Sequence, residues 1–259
     1  MSSNAGWLGS DWLRRMHGSM ETAWRALGAG SEGARMIERD GVVAAVVPAV
    51  PERSVFNSVL YETPRHLAAT REELARAYDE AGVNAWTVWV PESDTASAEL
   101  LASAGHELDA RPRAMVVELA DLPQHDPGAL EWSGDGSLAE LKRVNDAAYG
   151  DPPGTFDLGI GDPPSPTWRI YAARLEGRVA SVLATTDTDG DCGVWWVATV
   201  PEARGRGLSG ELLRAALDEA RERGLRTSTL QATKMGFPVY ERIGYRDVGE
   251  LQMWERRRR

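Results

Sequence analysis

Cysteine is nearly absent: Cys192 stands alone among 259 residues. That excludes an intrachain disulfide and a zinc site built from cysteines. Lysine is almost as scarce, with only Lys142 and Lys234, so arginine carries the positive charge. Cationic excess is missing too, since 29 Lys and Arg face 39 Asp and Glu for a formal net charge of −10. Such a chain lacks the electrostatic footprint of a general nucleic-acid binder and favours a cationic or neutral partner. No apolar run approaches the roughly twenty residues of a membrane span, and the N-terminus shows no secretory leader pattern. Cytoplasm is the expected location, with neither membrane nor nucleic acid as partner and no metal. The four histidines, His17, His66, His106 and His125, all precede the C-terminal half and are expected in packing or surface roles. Arg256 to Arg259 read as a short solvated tail.

What is present is a globular composition, 42% hydrophobic and 26% charged, in a length that suits one large domain or two ordinary ones. The pattern predicts a helix over 11–27, strands over 34–38, 42–47 and 55–61, and a helix capped by Thr70 and Glu73 that ends at Gly82. A strand over 85–90, a short helix ending at Gly105 and a strand over 114–119 close the first half. Residues 122–134 read as a linker, 137–148 as a helix, and 150–166, dense in Gly and Pro, as a long loop. Strands over 168–175, 179–185 and 194–199 follow, with Asp187, Asp189 and Asp191 in or beside a solvated turn. Leu212, Leu213, Ala216, Leu217 and Ala220 form an apolar stripe at helical spacing. A strand over 227–232, a short helix near Val239 and a last strand complete the chain. Gly82 and Gly224 each end a long helix, and Gly105 and Gly244 each end a short one. The spacing between these landmarks differs by three residues, so the halves read as two copies of one unit.

The richest stretch is 197–210. Val197, Ala198 and Thr199 end a strand, and Arg204-Gly205-Arg206-Gly207-Leu208-Ser209-Gly210 opens the striped helix. Glycines at a helix start let backbone N–H groups converge where the helix dipole is positive, which suits a pyrophosphate. Gly205, Gly207 and Gly210 also spell a dinucleotide fingerprint. However, Pro201-Glu202-Ala203 separates them from the strand, and the next strand ends without an acid.

The order of strand, Val-Pro-Glu, Arg-Gly-Arg-Gly, helix, strand, short helix with Tyr and Gly-Tyr-Arg resembles the GNAT acyltransferase superfamily over about 129–256. The resemblance implies an α/β protein of two tandem GNAT-like domains, each a mixed sheet flanked by helices. The expected division is 1–124, degenerate and non-catalytic, and 129–259, catalytic. It also implies acetyl-CoA as co-substrate, bound by Val197, Ala198 and Thr199 and by the loop Arg204, Gly205, Arg206, Gly207, Leu208, Ser209 and Gly210. Ser209 stands where the family motif has Gly or Ala, and Thr233, seven residues before Tyr240, stands where many members carry Asn. Tyr240 is placed as the acid that protonates the departing thiolate. The expected reaction is acyl transfer to a small-molecule or peptide amine by a monomer or homodimer. A non-catalytic acyl-CoA-binding module is the alternative.

Two further expectations follow from the residues. Trp195 and Trp196 alternate on their strand, so one is expected to face the core and the other the opposite face. One of them walling the acceptor pocket is the alternative to core packing of both, which is the preferred reading. Asp151, Asp157 and Asp162 in the long loop could attract an amine. Registering the landmark glycines places Thr63, Pro64 and Arg65 opposite Gly205, Arg206 and Gly207, and Leu101 opposite Tyr240, so the first half lacks both the flexible loop and the phenol.

Overall fold

A computed structural model describes residues 6–124, 126, 128, 130–161 and 168–258. The first half runs α1 (Asp11–Gly30), β1 (Arg35–Arg39), β2 (Val42–Val46), β3 (Ser58–Tyr61), α2 (Pro64–Glu80), β4 (Ala85–Pro91), α3 (Thr95–Ser103), β5 (Glu107–Ala110) and β6 (Arg113–Glu118). The second runs β7 (Glu131–Ser133), α4 (Leu138–Tyr149), α5 (Thr155–Gly159), β8 (Trp168–Leu175), β9 (Arg178–Thr188), β10 (Asp191–Thr199), α6 (Leu208–Glu222), β11 (Thr227–Ala232), α7 (Phe237–Ile243) and β12 (Arg246–Arg257).

Each half repeats one arrangement. Three antiparallel strands lead through a long helix to a strand parallel to the third, β3 with β4 and β10 with β11. A short helix and a further strand follow. The next stretch of chain then crosses over. β6, expected to close the first half, pairs with β11 through Thr227↔Glu118 to Ala232↔Arg113, inside the second half's sheet. The far end of β12 lies against β4, through Leu251↔Pro91 to Arg257↔Ala85, inside the first half's sheet. The exchange is reciprocal, and it joins both halves into one twelve-stranded sheet. Arg256 and Arg257 are therefore sheet residues and not a tail. Arg259 lies outside the described residues.

Several local differences have clear causes. α2 starts at Pro64, six residues before Thr70, because Thr63 caps it and Pro fits the first helical position. Thr70 instead bonds back to the His66 carbonyl within the helix. The loop expected over 150–166 contains α5, whose start is fixed by the buried Asp146 carboxylate accepting from Gly154 N and Phe156 N at 2.7 and 3.0 Å. The stretch read as a linker contributes the edge strand β7.

One core runs beneath both halves, from Tyr61, Leu74 and Trp86 to Leu141, Val182 and Trp195. A second lies between α6, α7 and the other face of the second half's sheet. α1 spans the halves on the first core. Ser19 on it donates to Asp191 at 2.7 Å, and the same carboxylate accepts from Thr227 and Thr229. Asp191 is thus fully buried rather than solvated, and burial pushes its carboxyl up while the three hydroxyls pull it down. Asp187 is engaged as well, in a bidentate pair with Arg223 at 2.9 Å.

Candidate acyl-transfer site

The site lies where β10 and β11 part. They pair over only three residues each, Asp191–Gly193 with Thr227–Thr229, so beyond Gly193 the β10 edge facing β11 has no strand partner among the described residues. On its other side β10 pairs with β9, and that register slips between Trp195 and Ala198, where three steps on β10 match two on β9. The extra residue is a bulge. Trp196 in it adopts φ 48°, a left-handed conformation that is strained for a bulky side chain. The bulge also cancels the expected alternation. Trp195 and Trp196 both pack on the first core, Trp195 edge-on to Trp24 and Trp196 stacked on Trp168 at 4.9 Å. Asn145 of α4, fully buried, donates to the Trp196 and Leu141 carbonyls and braces the bulge.

The next segment is built to receive an anion. Gly205 and Gly207 have φ 76° and 78°, which other residues rarely adopt. Helices α1, α2, α3 and α4 each begin on a side-chain cap, from Ser10, Thr63, Asp94 and Ser137. α6 begins on Gly207 with no side-chain cap, so its first N–H groups remain available. Gly205, Arg206 and Gly207 are exposed, Ser209 is half-buried, and the Leu208 side chain is buried in the first core. Arg206 makes no ion pair among the described residues. Arg204 instead reaches the Ala148 and Thr199 carbonyls and ties the loop to the end of α4.

Val239 of α7 lies against Gly210, which brings the Tyr240 helix to this loop. The Tyr240 ring packs on Gly236, where a Cβ would come within 2.8 Å of it, and edge-on to Tyr245. Burial pushes its phenol well above the usual tyrosine range, and a charge on Tyr149 would push it further. Its hydroxyl makes no hydrogen bond to the described residues. Thr233 is exposed, and its hydroxyl accepts from Gly236 N in the turn before α7.

Val197, Ala198, Thr199, residues 204–210, Thr233 and Tyr240 therefore gather at the C-terminal ends of one parallel strand pair, where open α/β sheets bind ligands. The acidic loop does not gather there as free charge. Asp151 is held bidentately by Arg53 of the first half at 2.7 and 2.9 Å, and Asp157 pairs with Lys142 at 3.1 Å. Asp162 lies outside the described residues, as does His125. His17 and His106 are buried in packing positions. Sequence reasoning missed Tyr149, Asn145 and Arg53. Tyr149 had one signal, its place as the last helical residue before the left-handed Gly150.

Residues 140–248 match the family described as acetyltransferase (GNAT) domain. The whole fold is similar to a GCN5-related N-acetyltransferase from Kribbella flavida, with TM-score 0.65 and 19% identity, covering 92% of this chain and 95% of that one. It is also similar to a GCN5-related N-acetyltransferase from Sphaerobacter thermophilus, with TM-score 0.57 and 18% identity, covering 91% of each chain. A tandem GNAT protein from the clavulanic acid biosynthesis pathway matches with TM-score 0.55 and 17% identity, over 83% of this chain and 77% of that one. No protein of curated function matches the chain in sequence. Residues 140–248 thus match a GNAT acetyltransferase domain, and the α/β fold as a whole is similar to the folds of these structures.

Proposed function

We propose that the chain is an acetyl-CoA-dependent N-acetyltransferase that works by direct attack of an amine on the thioester. The observation that carries the reading is the parted β10–β11 pair running into an uncapped, glycine-opened helix. An extended acyl-pantetheine arm would add to the free edge of Val197, Ala198 and Thr199, and the α6 N-terminus with Arg206 would take the pyrophosphate. Backbone donors on that edge would polarise the thioester carbonyl. The acceptor nitrogen bonds to the acyl carbon, the carbon–sulfur bond breaks, the Tyr240 proton passes to the departing sulfur, and the proton shed by the nitrogen passes through water to restore the phenol. A phenol held protonated by burial is loaded for that task, and the reference pKa values of a phenol and an alkyl thiol, about 10 and 8.5, lie close enough for proton transfer.

We further propose that the first half, 1–124, is a non-catalytic copy that supports the second. At the start of α2 the Thr63 hydroxyl accepts from His66 N, and Pro64 removes an N–H, so no phosphate cradle remains. Beyond the short β3–β4 pairing, the space corresponding to the β10–β11 gap is filled. Trp7, fully buried, donates to the Trp89 carbonyl, and the Tyr61 hydroxyl donates to Asp94. Leu101 is buried where the second half has Tyr240.

Tyr240→Phe tests the acid role. Thiol release from acetyl-CoA should fall about a hundredfold while acetyl-CoA affinity, read by calorimetry, stays unchanged. Turnover equal to that of the parent enzyme removes the assignment. Turnover absent from both, with binding retained, favours the binding-module alternative.

A further inference from the structure

We infer that the acceptor is a monoamine carried on an aromatic or otherwise apolar body, and not a polycationic amine; this rests on the acetyl-transfer reading above. Three observations on the bulge and the segments around it converge on it.

The first is an aromatic run that ends beside the reacting position. Trp168 stacks on Trp196 with planes 16° apart, Phe156 meets Trp196 edge-on at 6.4 Å, and Phe56 of the first half meets Phe156 edge-on at 5.5 Å. Trp196 immediately precedes Val197. Both indoles are only half-buried, so the stacked pair keeps part of its aromatic surface in solvent beside the bulge.

The second is charge. A site for a polyamine or aminoglycoside needs several carboxylates free to meet several ammonium groups. Here the Asp146 carboxylate caps α5, Asp151 is held by Arg53, and Asp157 by Lys142. A polycation meets no unpaired carboxylate among these residues, whereas a single amine can enter uncharged.

The third is the rim. Among the described residues, four large apolar or aromatic side chains are markedly exposed, and three of them belong to segments flanking the cleft. These are Tyr149 at the end of α4, Leu158 on α5 and Met235 in the turn before α7, at 56%, 54% and 72% exposure. Exposed apolar groups on the segments that flank a cleft mark a surface that an apolar ligand can cover.

The test compares 2-phenylethylamine with spermidine and kanamycin at saturating acetyl-CoA, by thiol release. The expected result is a kcat/KM for 2-phenylethylamine at least about tenfold above either polycation. Trp168→Ala should raise the KM for 2-phenylethylamine about tenfold, the scale of one lost aromatic contact, with Trp168→Phe restoring most of it and acetyl-CoA affinity unchanged in both. A readout independent of turnover is quenching of tryptophan fluorescence by 2-phenylethylamine, expected in the parent protein and weakened in Trp168→Ala. Preference for spermidine or kanamycin, or a KM and quenching indifferent to residue 168, overturns the inference while leaving acetyl transfer standing. Acetyl-CoA that fails to bind at all overturns the acetyl-transfer reading instead, and aryl-amine quenching then decides the apolar site by itself.

Discussion

Tyr240, the proposed acid, differs from a neighbouring tyrosine through its surroundings. Tyr245, five residues on, is also buried, but its hydroxyl is engaged with Ser228 at 2.6 Å. Among the described residues the Tyr240 hydroxyl has no such partner, and burial pushes its phenol up. The consequence for pH dependence has a definite sign. A phenol shifted upward stays protonated, and so able to donate, through the whole range below about pH 10. The incoming alkyl amine, with a reference pKa of about 10.4, becomes more reactive as pH rises. The rate under subsaturating amine should therefore climb steadily from pH 7 to about 9.5 with no alkaline decline. A descending limb near pH 8 would show that a group other than Tyr240 supplies the proton.

At the scale of elements, local signals were legible and long-range partners were not. The glycine-opened α6, its apolar stripe and the short helix with Tyr240 could be read directly, because each depends on spacing within a few residues. The start of α2 was misplaced because Thr70-Glu73 imitates a capping box, although Thr63-Pro64 is the stronger pair. The Trp195–Trp196 bulge was invisible, since nothing in the pair announces an extra residue against β9. The destination of β6 was equally hidden: β6 reads as a strand, but its neighbour is set by the reciprocal exchange with β12. That exchange makes the halves interdependent. A fragment spanning 129–259 leaves β11 without its antiparallel partner β6 and exposes a central edge. It should show no cooperative thermal transition alone, and an otherwise identical fragment beginning at 105 should recover soluble expression. A stable, cooperatively unfolding 129–259 fragment would mean the exchanged strand is dispensable.

The molecule as a whole carries a built-in acid sensitivity. His17 and His106 are buried, and desolvation lowers each from 6.5 to about 4. A lowered histidine stays neutral in the folded protein while the unfolded chain takes up a proton. Stability is therefore lost as pH falls from about 6.5 towards 4, by at most about 3 kcal/mol for each group. Thermal melting between pH 7 and 4.5 should fall steeply, and His106→Phe, which keeps an aromatic ring against Trp86 at its 4.7 Å edge-on contact, should flatten the slope. An unchanged slope would place the acid sensitivity elsewhere.

The central claim is one working acyl-CoA site in a molecule built from two copies of one unit. Calorimetric titration with acetyl-CoA tests it most directly. The account predicts one molecule bound per chain, with binding lost in Gly207→Val, where the left-handed φ of 78° is strained and the loop cannot keep its shape. Two molecules bound per chain, or one whose affinity is indifferent to Gly207, would contradict it.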